Sequence, residues 1–287
     1  MGLSALVTIE WRKFLRCKPS WVVLAGGIVC AAIAAAGEVN SYLQDEPARI
    51  SMMEYVYQQP FALSPYTRWI PVDRIEFWAN LFVFIAPMLI ALAYSWSLRS
   101  ELLSGYAQQM YVASARPRYY LAKAIVTFTA GGLVVAVPLV VDFAILACFL
   151  PLYTPSIIDV TAFGIYSQVP LSQLFYQAPW AFVVVRLLID FVLAGLWATL
   201  VLGLSLFVRN RVVLMVAPYL ALVALKYGSE QLYALIHISG PSIALIDLLR
   251  SSGDAYNYTL ESLAVCAALM AAISVALPLI ARRRDVL

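Results

Sequence analysis

The chain has 287 residues, of which 63% are hydrophobic and only 12% are charged. This composition lies far outside the range of soluble domains and predicts a protein of the lipid bilayer. The formal net charge of +3 is too small, and the basic residues are too scattered, for a nucleic-acid partner or a polybasic membrane anchor.

The first 17 residues predict an amphipathic helix at the membrane interface. Apolar side chains recur at helical spacing, while threonine and basic side chains occupy the other face. The apolar positions are Leu3, Leu6, Val7, Trp11, Phe14 and Leu15. This helix serves either as a basic anchor against anionic lipid or as an elbow that also contacts a cytoplasmic partner.

Six segments are long and apolar enough to cross a bilayer, which takes about 20 mostly apolar residues. They are residues 19–36, 77–96, 121–150, 180–208, 212–227 and 260–280. Residues 1–287 are therefore predicted to form one all-α, polytopic membrane domain.

Residues 37–76 are too few and too poor in aliphatic side chains for a separate domain. We expect them on the outer membrane face, with Tyr66 and Trp69 at the interface.

Basic residues flank these spans in four clusters, and all four fall on one side of a six-span protein. The clusters are Arg12, Lys13, Arg16 and Lys18; Arg99, Arg116, Arg118 and Lys123; Arg209 and Arg211; and Arg282, Arg283 and Arg284. Because cytoplasmic loops carry the excess of lysine and arginine, both termini are predicted to be cytoplasmic.

A charged segment, RSELLSGYAQQMYVASARPRYYLAKAI at residues 99–125, separates the second span from the third. Its apolar positions favour a short helix at the inner membrane surface. Since a residue before proline avoids the helical region, Pro117 predicts that this helix ends near Ser114 and that the chain re-enters the membrane after Arg118. Such a helix either serves only as a connection between two spans or also contacts a cytosolic protein.

Three ionisable residues lie at membrane depth, namely Asp142, Arg186 and Asp190. A lone charge there is costly, so Asp142 and Arg186 are predicted to pair, or all three to form a triad. Their role is either to handle substrate or protons or to lock the helix bundle.

A further segment, SEQLYALIHISGPSIALIDLLR at residues 229–250, contains two apolar halves broken at Ser239, Gly240 and Pro241. Each half is too short to span a bilayer, so the segment is predicted to form an external hairpin. The four cysteines show no disulfide framework or metal spacing, and the single histidine argues against an intramembrane enzyme.

Glu101, Gly105, Tyr106, Arg116 and Lys123 resemble a family pattern, E-x-x-x-G-(T)-…-S/P-x-x-R-…-K. That pattern follows the second span of ABC-2 type permeases, the membrane subunits of type V ABC exporters. Tyr106 stands where the family often has threonine. The basic N-terminal flank EWRKFLRCKPS and the C-terminal RRRDVL fit the same architecture.

The resemblance implies that residues 99–125 hold a coupling helix, which docks on a separate ATP-hydrolysing subunit. It also implies a hairpin that dips back into the membrane at Ser239, Gly240 and Pro241 and helps to close an outer gate. A second permease chain, identical or related, is expected to meet this one through the first and fifth spans. The cell membrane, that of a bacterium, is the expected location.

The function implied is ATP-driven export of a hydrophobic, amphipathic or peptide substrate. The chain has no G-x-x-x-x-G-K-[ST] phosphate loop, so it is not expected to be an enzyme or to hold a cofactor. ATP and Mg²⁺ are expected in the partner ATPase. Two alternatives stay open, a membrane sensor or assembly subunit that relays an ATPase state, and an ion-coupled transporter.

Overall fold

The computed structural model describes residues 2–55, 63–155, 165–166, 169–235, 244–251 and 259–283, and of residues 45–55 and 282–283 it describes the backbone alone. Within these ranges the chain is helical and has no strand, which confirms the all-α prediction. The predicted hairpin residues Ser239, Gly240 and Pro241 lie outside the described ranges.

Twelve α-helices are found in the described ranges. In chain order they are α1 (Leu3–Arg16), α2 (Lys18–Tyr55), α3 (Pro65–Arg68), α4 (Phe77–Ile90), α5 (Ser97–Leu103), α6 (Tyr106–Ala113), α7 (Arg116–Phe149), α8 (Ser172–Gln177), α9 (Pro179–Leu204), α10 (Arg211–Leu235), α11 (Leu245–Leu248) and α12 (Leu260–Arg283). A π-helical stretch, Ala91–Ser95, joins α4 to α5.

Six helical segments are long and apolar enough to cross a membrane, which confirms the predicted number. They are Lys18–Gln44, Phe77–Leu103, Arg116–Phe149, Pro179–Leu204, Arg211–Leu235 and Leu260–Ala281. Apolar helices of this length mark the chain as a membrane-embedded protein.

Several helices extend beyond the predicted membrane-spanning segments. The first, α2, continues past residue 36 to Tyr55, through residues that were expected to form a loop. The third begins at Arg116 and not at residue 121. Pro117 lies in the first turn of α7, where its missing N–H removes no helical hydrogen bond, so it starts this helix.

The tightest helix contact joins α7 to α9. A Cβ atom added to Gly131 would lie 2.5 Å from the Cβ atom of Ala198, and one added to Gly195 would lie 2.6 Å from the Phe128 ring. Real side-chain atoms do not approach so closely. Glycine at these two positions therefore allows the backbones of α7 and α9 to pack against each other.

Tyr66 and Trp69 are buried inside the bundle, so their predicted place at the membrane interface is wrong. Ser64 precedes α3 and its backbone N–H donates to the Thr67 hydroxyl, and Trp69, which follows this short helix, has no exposed surface. The Trp69 Nε1–H donates a hydrogen bond to the backbone carbonyl of Leu139, at 2.9 Å. Its ring meets that of Phe143 edge to face. The indole N–H thus has the hydrogen-bond partner that a buried tryptophan usually finds.

The opposite end of the bundle, which we name the basal end, is closed by one small apolar cluster. Its buried members are Leu6, Leu98, Ala107, Met110, Tyr119, Ala122, Leu202, Leu206 and Ala281. They come from α1, α5, α6, α7, α9, the residues just after α9, and α12. The start of α1 and the last part of α12 therefore lie at the same end of the bundle.

Candidate functional site

Helix α1 packs against α7 and buries an acidic side chain between them. Leu6, Glu10 and Phe14 are spaced four residues apart, which places them on one stripe of the helix. All three are buried, and Glu10 retains only 1% of its surface. A carboxylate this well buried requires charged partners.

Those partners form a closed set of four alternating charges, which we name the basal charge network: Glu10, Lys13, Glu101 and Lys123. The Lys13 Nζ lies 2.7 Å from one oxygen of Glu10 and 2.9 Å from one oxygen of Glu101. The Lys123 Nζ lies 2.9 Å from the other oxygen of Glu10 and 2.5 Å from the other oxygen of Glu101. The network therefore joins α1, α5 and α7 through charge-assisted hydrogen bonds.

Three tyrosines surround the network. The Tyr119 hydroxyl donates to Glu101, and the Tyr94 hydroxyl donates to Glu10 at 3.1 Å. The Lys13 ammonium stands 4.0 Å from the centroid of the Tyr106 ring. Tyr106 is the first residue of α6, so this cation–π contact attaches the short helix to the network.

The charges of the network balance, with two carboxylates and two ammonium groups. Burial raises the pKa of Glu10, but the charges and hydrogen bonds of Lys123 and Lys13 outweigh it, and the pKa falls below its ordinary value. Burial lowers the pKa of Lys13, but its hydrogen bonds to Glu10 and Glu101 outweigh that effect, and the pKa rises. Both groups of α1 are therefore ionised at neutral pH.

Three of the five residues that the family pattern singles out meet at the network. Glu101 and Lys123 belong to it, and Tyr106 lies under Lys13. Gly105 adjoins them with φ +77°, a left-handed conformation that favours glycine, and so allows the chain to turn from α5 into α6. Arg116 lies apart from the network, with its guanidinium 5.5 Å from the Tyr111 ring centroid.

Helix α6 has a buried face and an exposed face at the basal end. Ala107 and Met110 pack inward, into the apolar cluster. Gln108, Gln109 and Val112 point outward, and Val112 exposes 91% of its surface. The exposed face is thus an aliphatic side chain beside two amides, and it carries no charge.

Glu10 and Lys13 were not predicted as site residues, although the sequence contains a signal for Glu10. It is the only acidic residue of α1 and falls four residues after Leu6 and four before Phe14, on the apolar stripe. Lys13 was predicted only as part of the basic flank. Nothing in the sequence distinguishes Tyr94 and Tyr119 from the rest of the 17 tyrosines.

The intramembrane charges form two separate contacts. Arg186 and Asp190 make a buried, two-pronged ion pair along α9, with nitrogen–oxygen distances of 2.6 and 3.0 Å. Arg186 also donates to the backbone carbonyl of Leu248 in α11, at 2.6 Å. Asp142 on α7 accepts the backbone N–H of Ile70, at 2.9 Å.

In the described part of the chain Asp142 makes no ion pair with Arg186, so neither the predicted pair nor the complete triad forms, and only the contact between Arg186 and Asp190 is present. Residues 186 and 190 are one helical turn apart, so α9 supplies its own counterion. Both contacts attach a short peripheral segment to a membrane-spanning helix, which favours a structural role over substrate or proton handling.

Over the residues that the structure describes, no group of three or more histidine, cysteine or acidic side chains could hold a metal ion. Comparison with family models, with curated proteins and with solved structures gives no match.

Proposed function

We propose that the chain is the permease subunit of a type V ABC exporter, driven by a separate ATPase subunit. The resemblance at Glu101, Gly105, Tyr106, Arg116 and Lys123 suggests this function. The observation that carries it is the attachment of an exposed short helix, α6, to a buried charge network at its base.

A coupling helix transmits movement only if it is firmly connected to the spans that must move. In this chain α5 continues the second span, α7 is the third, and Glu101 and Lys123 join them directly. Glu10 and Lys13 add α1 to the same unit. A load on α6 would therefore act on two spans and on α1 together, because separating buried, paired charges is costly.

The exposed face of α6 is the proposed contact with the ATPase. Its apolar tip at Val112, flanked by Gln108 and Gln109, suits a groove that offers both aliphatic surface and hydrogen-bond partners. In the proposed orientation the basal end is cytoplasmic, on the side of the four basic clusters. ATP and Mg²⁺ would be bound by the partner alone.

The proposal includes a second permease chain, which would meet this one through α2 and α10. Among the described side chains of α10 only Leu214 and Leu222 are buried. On α2, Val22 and Val29 are exposed, and a Cβ at Gly26 would meet nothing within 4 Å. These surfaces leave room for close approach of another helix. A hydrophobic, amphipathic or peptide substrate would pass between the two chains.

Copurification tests this function. When the chain is expressed with the products of its neighbouring genes, we expect an ATPase with a phosphate loop to elute with it at equal stoichiometry. Val112→Glu should lower the amount of ATPase recovered by about tenfold, a loss of roughly 1.4 kcal/mol at the interface. Leu152→Glu, at an exposed apolar residue just beyond the far end of α7, should leave recovery unchanged.

If the chain is recovered stable and monodisperse but with no ATPase, the proposed exporter lacks the subunit that would drive it, and the proposal is contradicted. Equal recovery with Val112→Glu and with the wild-type chain would contradict the assignment of α6 as the docking helix.

A further inference from the structure

A cavity of about 730 Å³ opens on the side of the bundle where α7, α9 and α12 meet. Tyr120 and Ala124 line it from α7, Thr199 from α9, and Ala271 and Ser274 from α12. Tyr119 and Lys123, each one residue earlier on α7, face the basal charge network instead. The cavity and the basal charge network therefore lie on different faces of α7, and only Arg116 belongs both to the cavity and to the family pattern.

The inner part of the cavity offers little to a polar ligand. The Thr199 hydroxyl donates to the carbonyl of Leu196 at 2.9 Å, and the Ser274 hydroxyl donates to that of Met270 at 2.7 Å. The remaining walls are mainly aliphatic. A polar solute would give up hydrogen bonds to water on entering, whereas a hydrocarbon chain would lose none. The volume is ample for a chain of that kind.

One end of the cavity carries a positive charge. Arg116 is the only charged residue among the described side chains that line it, and it is exposed at the first position of α7. Leu121, Val275 and Leu279 stand exposed along the rim, on a surface that faces lipid in a membrane-embedded bundle. The cavity thus has a cation at the level of the lipid headgroups and an apolar interior, and a lipid can enter it from the side.

We infer that this cavity binds an anionic phospholipid from the adjoining leaflet, with its phosphate on Arg116 and one acyl chain along α9 and α12. Arginine suits a phosphate because its guanidinium presents two parallel donors to two oxygens. This inference does not depend on the export function. It requires only that the chain is embedded in a bilayer.

Lipid retention tests the site. The full chain is equilibrated in micelles that contain equal amounts of phosphatidylglycerol and phosphatidylcholine, and the bound lipid is counted by native mass spectrometry. We expect the wild-type chain to retain phosphatidylglycerol preferentially. Arg116→Gln should reduce that preference about fivefold, as expected for one arginine near an anionic headgroup. Arg118→Gln removes an exposed arginine that does not line the cavity, and it should leave the preference intact.

A second variant tests the acyl-chain part without touching the charge. Ala271→Phe fills the cavity from α12 and should lower retention of both lipids, while the protein stays monodisperse. Glycerol phosphate, which has the headgroup charge but no acyl chain, should not displace the bound lipid.

Several outcomes would overturn the inference. They are equal retention of the two lipids by the wild-type chain, an equal loss with Arg118→Gln, unchanged retention with Ala271→Phe, and displacement by glycerol phosphate.

Discussion

Replacing Lys123 by methionine is expected to lower the free energy of unfolding by about 3–5 kcal/mol, the cost of removing one partner from a buried ion pair. Lys123 has no exposed surface, and its ammonium group contacts both Glu10 and Glu101. Without it, two carboxylates with little access to water share the single ammonium of Lys13. Unfolding by sodium dodecyl sulfate in mixed micelles measures the loss.

Two further variants show whether charge pairing is the cause. Lys18→Met makes the same chemical change at an exposed lysine and should have little effect. Adding Glu10→Gln to Lys123→Met removes one carboxylate charge together with the ammonium, so the double variant should be more stable than Lys123→Met alone. A Lys123 variant as stable as the Lys18 variant would show that the basal charge network does not stabilise the fold.

Replacing Arg186 by methionine is expected to have an effect of similar size, about 3–5 kcal/mol. The change leaves Asp190 buried without its counterion and removes a donor from the carbonyl of Leu248. We expect a lower free energy of unfolding and faster hydrogen exchange in α11, which loses its contact with α9.

Double variants separate the observed contact of Arg186 with Asp190 from its predicted contact with Asp142. Arg186→Met with Asp190→Leu removes both charges and should recover much of the stability. Arg186→Met with Asp142→Asn should recover none, because Asp142 accepts its hydrogen bond from Ile70. If stability were recovered with Asp142→Asn but not with Asp190→Leu, the result would support the predicted pairing of Asp142 with Arg186.

The membrane fold could be predicted because it depends on composition over long windows. Six apolar stretches of spanning length are visible without knowledge of any contact. The extension of α2 to Tyr55 could not be predicted in this way, because polar residues around Asn40 interrupt the apolar stretch of this helix. The burial of Trp69 depends on a carbonyl of α7 that is 70 residues away in sequence.

The site was only partly visible in the sequence for a related reason. A short pattern singles out Glu101 and Lys123, which lie near each other in the chain. Their partner Glu10 lies 113 residues before Lys123, and its contact depends on how α1 packs against α7. The predicted contact between Asp142 and Arg186 was wrong because matching depth in two helices does not bring two side chains together, whereas Asp190 lies one turn from Arg186 on the same helix.

The most direct test of the central claim is photo-crosslinking at position 112 in the full complex. A benzophenone amino acid at Val112 should crosslink the chain to the ATPase subunit in nanodiscs, and one at Leu152 should not. A crosslink at 112 to the ATPase, absent at 152, is the result that the proposed function predicts. Lack of any ATPase crosslink at 112 in a complex that retains the ATPase would contradict the docking role of α6.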